Sequence, residues 1–98
     1  MNRAELVTKI KTQEQAIEAE GATALYVYGS RARDDQRPDS DLDVYVEYTP
    51  QSRFSLMSLA GIQVILTDTT GLQVSITTRD SLHPDIREAI ESEAVKIF

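Results

Sequence analysis

Two short groups of polar residues have the types and the spacing that bind a metal ion together with a phosphate. Gly29 and Ser30 end one apolar segment, and Asp41 and Asp43 stand at the start of another. Because side chains alternate along a strand, the two aspartates point to one face, with their Cα atoms ~6.6 Å apart at ~3.3 Å per residue. Two carboxylates that close raise the pKa of one of them unless a cation lies between them. The spacing therefore predicts a site for Mg²⁺, which takes one or two carboxylates together with substrate phosphates.

The segment that follows the first apolar run supplies groups that hold phosphates. Gly29 lets backbone approach a ligand closely, and the Ser30 hydroxyl and the start of a short helix offer hydrogen-bond donors. Arg31 and Arg33 add positive charge. These groups are typical of sites for phosphoryl or nucleotidyl transfer, in which positioning and metal electrostatics supply most of the rate acceleration.

The composition indicates which kind of protein carries this site. The 98 residues favour a single domain, residues 1–98. With 16 acidic against 10 basic residues and a net charge of −6, the surface as a whole is not expected to bind nucleic acid directly. The chain has no cysteine, which excludes disulfides and thiol catalysis. It also has no apolar run near ~18 residues, so we expect no membrane span and a cytoplasmic protein.

Hydrophobic periodicity and turn residues predict alternating helices and strands. In order, these are a helix over 3–20, a strand over 24–28, a short helix over 30–33, a strand over 41–48, a helix from Ser52 or Ser55 to Gly71, a strand over 72–77 and a helix starting within 81–84. Residues 94–98 fit either the end of that helix or a short edge strand. The order αβαβαβα predicts an α/β (α+β) two-layer sandwich, with a small mixed β-sheet covered by helices on one face.

The order of the motifs resembles that of a known family. Gly29-Ser30-x-Ala32-Arg33, followed by a loop and then Ser40-Asp41-x-Asp43, closely resembles the signature of the minimal nucleotidyltransferases. These are the smallest branch of the polymerase-β-like superfamily. The resemblance extends over the whole chain, including later segments within 53–61 and 81–87.

The resemblance implies a fold, a reaction and a partner. It implies a nucleotidyltransferase fold that uses ATP as the nucleotide donor and Mg²⁺ as the cofactor. Family members are typically encoded beside a helical HEPN-type protein, which several of them adenylylate as the antitoxin of a toxin–antitoxin pair. Carried onto this sequence, the metal-binding and catalytic residues are Asp41 and Asp43, and the nucleotide-binding residues are Gly29, Ser30, Arg31, Arg33 and Ser40.

The chain departs from the family pattern on its third strand. Members usually carry a third carboxylate there, which ligates metal and helps to deprotonate the attacking hydroxyl, whereas this chain has Ser75 at that catalytic position. Ser75 is on the outward face by alternation, but a neutral hydroxyl is a poor base and a weak ligand for Mg²⁺. Glu47 lies ~13 Å from Asp43 along the strand, which is too far for it to substitute. Asp68 and Asp80 lie outside the third strand on either side, and of these we keep only Asp80 as a candidate substitute. Asp34 also replaces a usual glycine, which adds negative charge near the phosphate site.

Three functions remain open on this sequence. The first is transfer of AMP from ATP to a hydroxyl of a protein partner with a HEPN domain. The second, motivated by Ser75, is a catalytically weakened nucleotidyltransferase fold that neutralises its HEPN partner by contact. The third is nucleotide sensing without transfer.

Other residues near the motifs have simpler structural interpretations. Arg37 lies among acidic residues, so we expect its side chain to form surface ion pairs. His83 precedes a proline at a helix start, which favours a structural role, and Met57 fits the apolar core. Three tyrosines allow two interpretations, because they could form a partner-binding face or simply be half-buried on the sheet: Tyr26, Tyr28 and Tyr45.

Overall fold

The computed structural model describes residues 1–98 and contains five α-helices and four strands. They are α1 (Arg3–Lys11), α2 (Glu14–Ala19), β1 (Ala22–Tyr28), α3 (Ser30–Arg33), β2 (Leu42–Tyr48), α4 (Leu56–Thr70), β3 (Val74–Thr78), α5 (Pro84–Glu93) and β4 (Val95–Lys96), with a 3-10 turn at Arg79–Ser81. None of the helices has the length and apolar character that crossing a membrane requires.

The four strands form one mixed sheet in the order β3-β2-β1-β4. β1 pairs antiparallel with both β2 and β4, whereas β2 and β3, which α4 connects, are parallel. The expected small mixed sheet is therefore confirmed, and the last residues take the edge-strand alternative.

The core lies between one face of the sheet and three helices. Alternate residues of β1 and β2 are buried on this face, as the alternation predicts. The helices α1, α2 and α4 cover them with their own buried side chains: Leu6, Ile10, Ile17, Ile62 and Leu66. The opposite face of the sheet keeps the polar and aromatic alternates, including Asp43, and this is the face on which the candidate site lies.

The single helix predicted over 3–20 is wrong, because it is broken after Lys11 into α1 and α2. The Thr12 hydroxyl donates to the carbonyl of Lys9 at 2.6 Å, a local bond that competes with continuing the helix. The break leaves Leu6, Ile10 and Ile17 buried on the same side, so the apolar stripe is kept although the helix is not.

The ends of α4 and α5 follow the sequence signals. Ser55 caps α4 and Gly71 ends it in a left-handed conformation. The His83 side chain accepts the backbone N–H of Asp85 at 3.1 Å, which gives it the structural role that we expected. Met57, however, is 80% exposed and the prediction that it belongs to the core is wrong, because it lies on the outer side of α4.

Helix α5 differs from the other long helices. None of its residues is buried, and it passes from the β3 edge of the sheet to the β4 edge. Its glutamates Glu91 and Glu93 form ion pairs with Arg79 of the 3-10 turn and with Arg33 of α3, respectively. The helices on one face are thus α1, α2 and α4, while α5 contributes to the side that carries the site.

Candidate functional site on the polar face of the sheet

The turn at Gly29 requires a glycine for two reasons. Its φ is +76°, a left-handed region that side chains with a Cβ rarely adopt. A Cβ placed there would also lie 2.6 Å from Oδ2 of Asp43. The carboxylate of Asp43 therefore rests directly against the backbone of the Gly29 turn, and Ser30 follows at the first position of α3.

Replacing Gly29 with alanine should separate an effect on stability from an effect on ligand binding. With a φ of +76° and a ψ of −154°, an alanine at this position costs roughly 1–3 kcal/mol of unfolding free energy, and the new Cβ forces the Asp43 carboxylate to rotate away. Because groups that orient a metal-binding side chain change metal affinity by about 10–100-fold, we expect a loss of that size in Mg²⁺·ATP affinity. Urea unfolding and calorimetric titration measure the two quantities.

The matched control is Gly71→Ala. Gly71 has a φ of +72°, but a Cβ there would meet nothing within 4 Å. Gly71 has a ψ of 11°, in the left-handed α region, whereas Gly29 has a ψ of −154°, in a region that is essentially restricted to glycine. Gly71→Ala should therefore lose less stability than Gly29→Ala and should keep its affinity. Equal affinity in the two variants would contradict the role of Gly29 in holding Asp43.

Asp41 and Asp43 lie close enough to affect each other electrostatically. Asp43 is half-buried on β2, and Asp41 is exposed at the residue before that strand. Burial raises the pKa of Asp43, and the negative charge of Asp41 raises it further, while Arg33 opposes the shift. The structure thus places two neighbouring carboxylates at the N-terminal end of the interior strand β2, as the spacing predicts.

Ser75 lies beside Asp43 in the parallel register of β2 and β3. It is exposed on the same face as Asp43, so the predicted outward position of Ser75 is confirmed.

Asp80 lies in the 3-10 turn that follows β3, where it accepts the Tyr48 hydroxyl at 3.3 Å. Since Thr78 already pairs with Val46, ~10 Å along β2 from Asp43, the expectation that Asp80 replaces the missing carboxylate is wrong.

Arg31 does not point into the site. Its side chain is 4% exposed, and Nε and Nη2 both donate to the carbonyl of Ser40, at 3.2 and 3.0 Å. The Ser40 hydroxyl in turn accepts the backbone N–H of Arg37 at 2.9 Å. The nucleotide contact predicted for Arg31 is replaced by a structural role, because its donors hold the loop that precedes Asp41.

Arg37 forms no ion pair, contrary to our expectation.

Arg33 is half-exposed beside the Gly29 turn and makes two ion pairs. Its Nε donates to Asp35 at 3.1 Å, and its Nη1 donates to Oε2 of Glu93 at 2.8 Å. The other oxygen of Glu93, Oε1, accepts the backbone N–H of Gly29 at 3.1 Å. One carboxylate is therefore held by both a backbone donor of the glycine turn and a guanidinium.

Sequence reasoning missed Glu93, which lies 60 residues after Arg33 in the chain. Its position follows from the pairing of β4 with β1, in which Val95 is opposite Val27 and Lys96 is opposite Tyr26. Extending that antiparallel register by two residues places Glu93 opposite Gly29. The edge-strand alternative for residues 94–98 was the only sequence signal that pointed there, and it left the register open.

Asp34 keeps the backbone conformation that favours a glycine at its position. It is the one non-glycine residue with a positive φ, +61°, at the end of α3. Asparagine and aspartate tolerate this region better than other side chains. Its carboxylate accepts the backbone N–H of Arg3 at 3.1 Å, so the added charge is directed toward the start of α1.

The rest of the polar face is aromatic. Tyr45 is only 2% exposed, and its ring stacks on Tyr26 with 4.7 Å between ring centroids and lies 5.8 Å from the ring of Tyr28. Arg79 bridges Glu47 and Glu91 at the end of this cluster. The tyrosines therefore pack mainly on one another, which is the half-buried alternative.

The whole site lies in a segment that matches a family of known domains. The model described as the nucleotidyltransferase domain matches residues 6–97. This chain belongs to the nucleotidyltransferase domain family. The resemblance indicated by the motifs between Gly29 and Asp43 is thereby confirmed, and so is the fold.

Curated relatives of this nucleotidyltransferase come from Methanocaldococcus jannaschii. One is 32% identical over 78 residues, covering 80% of this chain and 82% of the relative. Another is 31% identical over 75 residues, covering 76% and 74%. Both carry the name "putative protein adenylyltransferase".

Solved structures share the fold of this nucleotidyltransferase. A structure described as a "putative minimal nucleotidyltransferase" is 29% identical, has a TM-score of 0.82 and covers 97% of this chain and 95% of its own. A toxin–antitoxin crystal structure with AMP-PNP has a TM-score of 0.73 at 14% identity, covering 94% and 72%. A tri-AMPylated Shewanella oneidensis HEPN toxin in complex with MNT antitoxin has a TM-score of 0.68 at 11% identity, covering 98% and 71%. At such low identity the last two show the fold alone.

The carboxylates of this nucleotidyltransferase fit one kind of metal site. No three histidine, aspartate or glutamate side chains are grouped so that they could hold an ion, which leaves the pair Asp41 and Asp43. Burial, and then the charge of Asp41, raise the pKa of Asp43, and a divalent cation beside the pair would offset the repulsion between the two carboxylates. Two carboxylates suit Mg²⁺ that shares its remaining positions with phosphate oxygens and water.

Proposed function

We propose that this chain is a Mg²⁺-dependent nucleotidyltransferase that moves AMP from ATP to a hydroxyl of a protein partner. The hydroxyl oxygen would bond to the α-phosphorus as the bond to the bridging oxygen breaks, and pyrophosphate would leave. The observation that carries the proposal is the contact of the Asp43 carboxylate with the Gly29 turn, beside Asp41. The oxygens that would bind the metal lie against the backbone of this turn, and the N–H of Gly29 donates to the carboxylate of Glu93. Two relatives are named putative protein adenylyltransferases, and these names support the choice of AMP and of a protein acceptor.

Each residue of the site has a distinct task in this reaction. Asp41 and Asp43 would hold Mg²⁺, which when bound neutralises charge on the phosphate oxygens and orients them. The Gly29 N–H, the Ser30 hydroxyl and Arg33 would bind the triphosphate, with charge-assisted hydrogen bonds from the guanidinium. Arg31 and Ser40 hold the loop before Asp41 in place, and a nucleotide contact by the Ser40 hydroxyl stays a prediction.

The acceptor hydroxyl has no carboxylate base at the third-strand position. Ser75 lies beside Asp43 and is exposed, so a hydroxyl that approaches the metal-bound phosphate meets a neutral side chain. Ser75 can exchange hydrogen bonds with the acceptor but does not remove its proton at neutral pH. We therefore expect slow transfer, limited at the step in which the acceptor loses its proton.

We propose a HEPN-domain protein as the partner and the cytoplasm, where ATP and Mg²⁺ are supplied, as the location. A HEPN toxin and an MNT antitoxin occur together in one of the structures that share this fold. In such a pair, this chain would be the antitoxin, and the AMP group would silence the toxin.

The second candidate function is a binding module that neutralises the same partner by contact. The observation that favours it is again Ser75, since the carboxylate that would deprotonate the acceptor is absent from that position. This function needs the fold and a surface, but neither ATP nor Mg²⁺.

One assay separates the two functions. The chain is incubated with Mg²⁺, ATP labelled in the α-phosphate and the HEPN-domain protein encoded beside it. Transfer predicts label on the partner that requires Mg²⁺. A stable complex with an unlabelled partner would contradict transfer and favour neutralisation by contact.

A further inference from the structure

The carboxylate of Glu93 already uses the donors that the proposed function assigns to the nucleotide. Oε1 accepts the N–H of Gly29 at 3.1 Å, and Oε2 accepts from Nη1 of Arg33 at 2.8 Å. A backbone N–H at a glycine turn and a guanidinium are also the donors that phosphates take. Resting on that proposed function, we propose that Glu93 is an internal competitor of the nucleotide, which the triphosphate must displace from Gly29 and Arg33.

The two anions cannot share the Gly29 donor. A backbone N–H has a single hydrogen to donate, so the Gly29 N–H serves either the carboxylate or a phosphate oxygen. A triphosphate in this site would also face the negative charge of Glu93 in addition to those of Asp41 and Asp43, and like charges a few ångströms apart repel. Glu93 thus lowers nucleotide affinity both by occupying donors and by its charge.

Glu93 is placed so that its side chain can leave while the backbone stays. The side chain is 28% exposed, so rotation carries the carboxylate into solvent. The residues that follow are fixed, because Val95 pairs with Val27 and Ile97 is 3% exposed in the core. Displacement is therefore a change of side-chain rotamer at the end of α5, and it requires no unfolding of the edge strand.

Glu93 does not replace the carboxylate missing at Ser75. No third acid is grouped with Asp41 and Asp43 in a way that could hold a metal, and both oxygens of Glu93 are already paired. Ser75 lies on β3, whereas Glu93 precedes β4 at the opposite edge of the sheet. The effect of Glu93 is accordingly on binding of the phosphates and leaves the missing base unreplaced.

The test compares Glu93→Gln with Glu91→Gln in calorimetric titrations of the full chain. Glu91 is two residues away on α5 and pairs with Arg79, so its substitution removes the same charge without touching the Gly29 turn. The probes are Mg²⁺·ATP and inorganic tripolyphosphate, which has the phosphates without the nucleoside. We expect Glu93→Gln to bind both probes about tenfold more tightly than the wild type, the change that ~1.4 kcal/mol of lost competition produces. Glu91→Gln should change affinity less than about twofold, since surface pairs contribute little.

The outcomes distinguish this inference from the proposed function. Wild-type binding that Glu93→Gln leaves unchanged or weakens would overturn the competition and leave nucleotide binding intact; weakening would show instead that Glu93 positions Arg33. A gain of equal size in Glu91→Gln would also overturn it, because the effect would then be one of net charge. Failure of all three proteins to bind Mg²⁺·ATP would overturn the proposed function and this inference together. Tm values measured in parallel verify that the variants are folded.

Discussion

Replacing Asp43 with asparagine should reduce AMP transfer to a protein partner by about 10²–10⁴-fold. A metal ion that stabilises developing charge on phosphate oxygens contributes several kcal/mol, and each ~1.4 kcal/mol changes a rate tenfold. Asparagine keeps the shape of the side chain but offers no charge to the metal. Asp43 also touches the Gly29 turn, so the variant should lose Mg²⁺·ATP affinity as well as rate. Label transfer from ATP to the partner, measured against time, gives the rate.

Stability provides the internal control for Asp43→Asn. Burial and Asp41 raise the pKa of Asp43 above its ordinary value of 3.8 in the folded chain. Above pH 3.8 the unfolded chain therefore binds fewer protons at this site than the folded chain does, and the contribution of Asp43 to stability falls as pH rises through the raised pKa. At neutral pH the variant lacks this destabilising charge. Its Tm should equal or exceed that of the wild type, with a difference that shrinks toward acid pH.

The matched variant is Asp68→Asn, which removes the same charge from an exposed position on α4. It should keep the rate of transfer. If Asp43→Asn were folded and fully active, Asp43 would not be a metal ligand and the proposed site would be wrong.

Restoring a carboxylate with Ser75→Asp should raise transfer by ~10²–10⁴-fold, the range of general-base catalysis. Ser75 is the neighbour of Asp43 across β2 and β3 and is exposed on the same face, so the new carboxylate would lie beside the metal site. Three carboxylates in one place repel when no cation is bound. We therefore expect the variant to be less stable than the wild type without Mg²⁺ and to recover when Mg²⁺ is added.

Thr77→Asp is the control for this gain. Thr77 is the next residue of β3 on the same face, but its neighbour on β2 is Tyr45. It adds the same charge ~6.6 Å farther along the strand and should not raise transfer. No gain in Ser75→Asp would contradict the view that the missing base limits the reaction.

The parts of the site that sequence predicts are those set by neighbouring residues. The alternation of β2 and β3 places Asp43 and Ser75 on the polar face, since each side chain is assigned by its position in one strand. The turn at Gly29 and the ends of α4 and α5 likewise depend on residues within one turn of the chain. The mixed sheet and its apolar layer follow from the same periodicities.

The parts that sequence misses depend on contacts between distant segments. Glu93 reaches the Gly29 turn only because β4 pairs with β1 in one particular register, and residues 94–98 carry no turn that sets it. The burial of Arg31 depends on the path of the loop to Ser40, which composition leaves open. Met57 is exposed because only part of the apolar surface of α4 faces the sheet.

Titration of the isotope-labelled chain with Mg²⁺·ATP, followed through backbone amide resonances, tests the central claim most directly. The claim is that the Gly29 turn and the two aspartates form one metal and triphosphate site. It predicts saturable shifts at Gly29, Ser30, Asp41 and Asp43 that require Mg²⁺ and disappear in Asp43→Asn. Absence of shifts at these residues, or shifts confined to the far end of the sheet around Arg79, would contradict it.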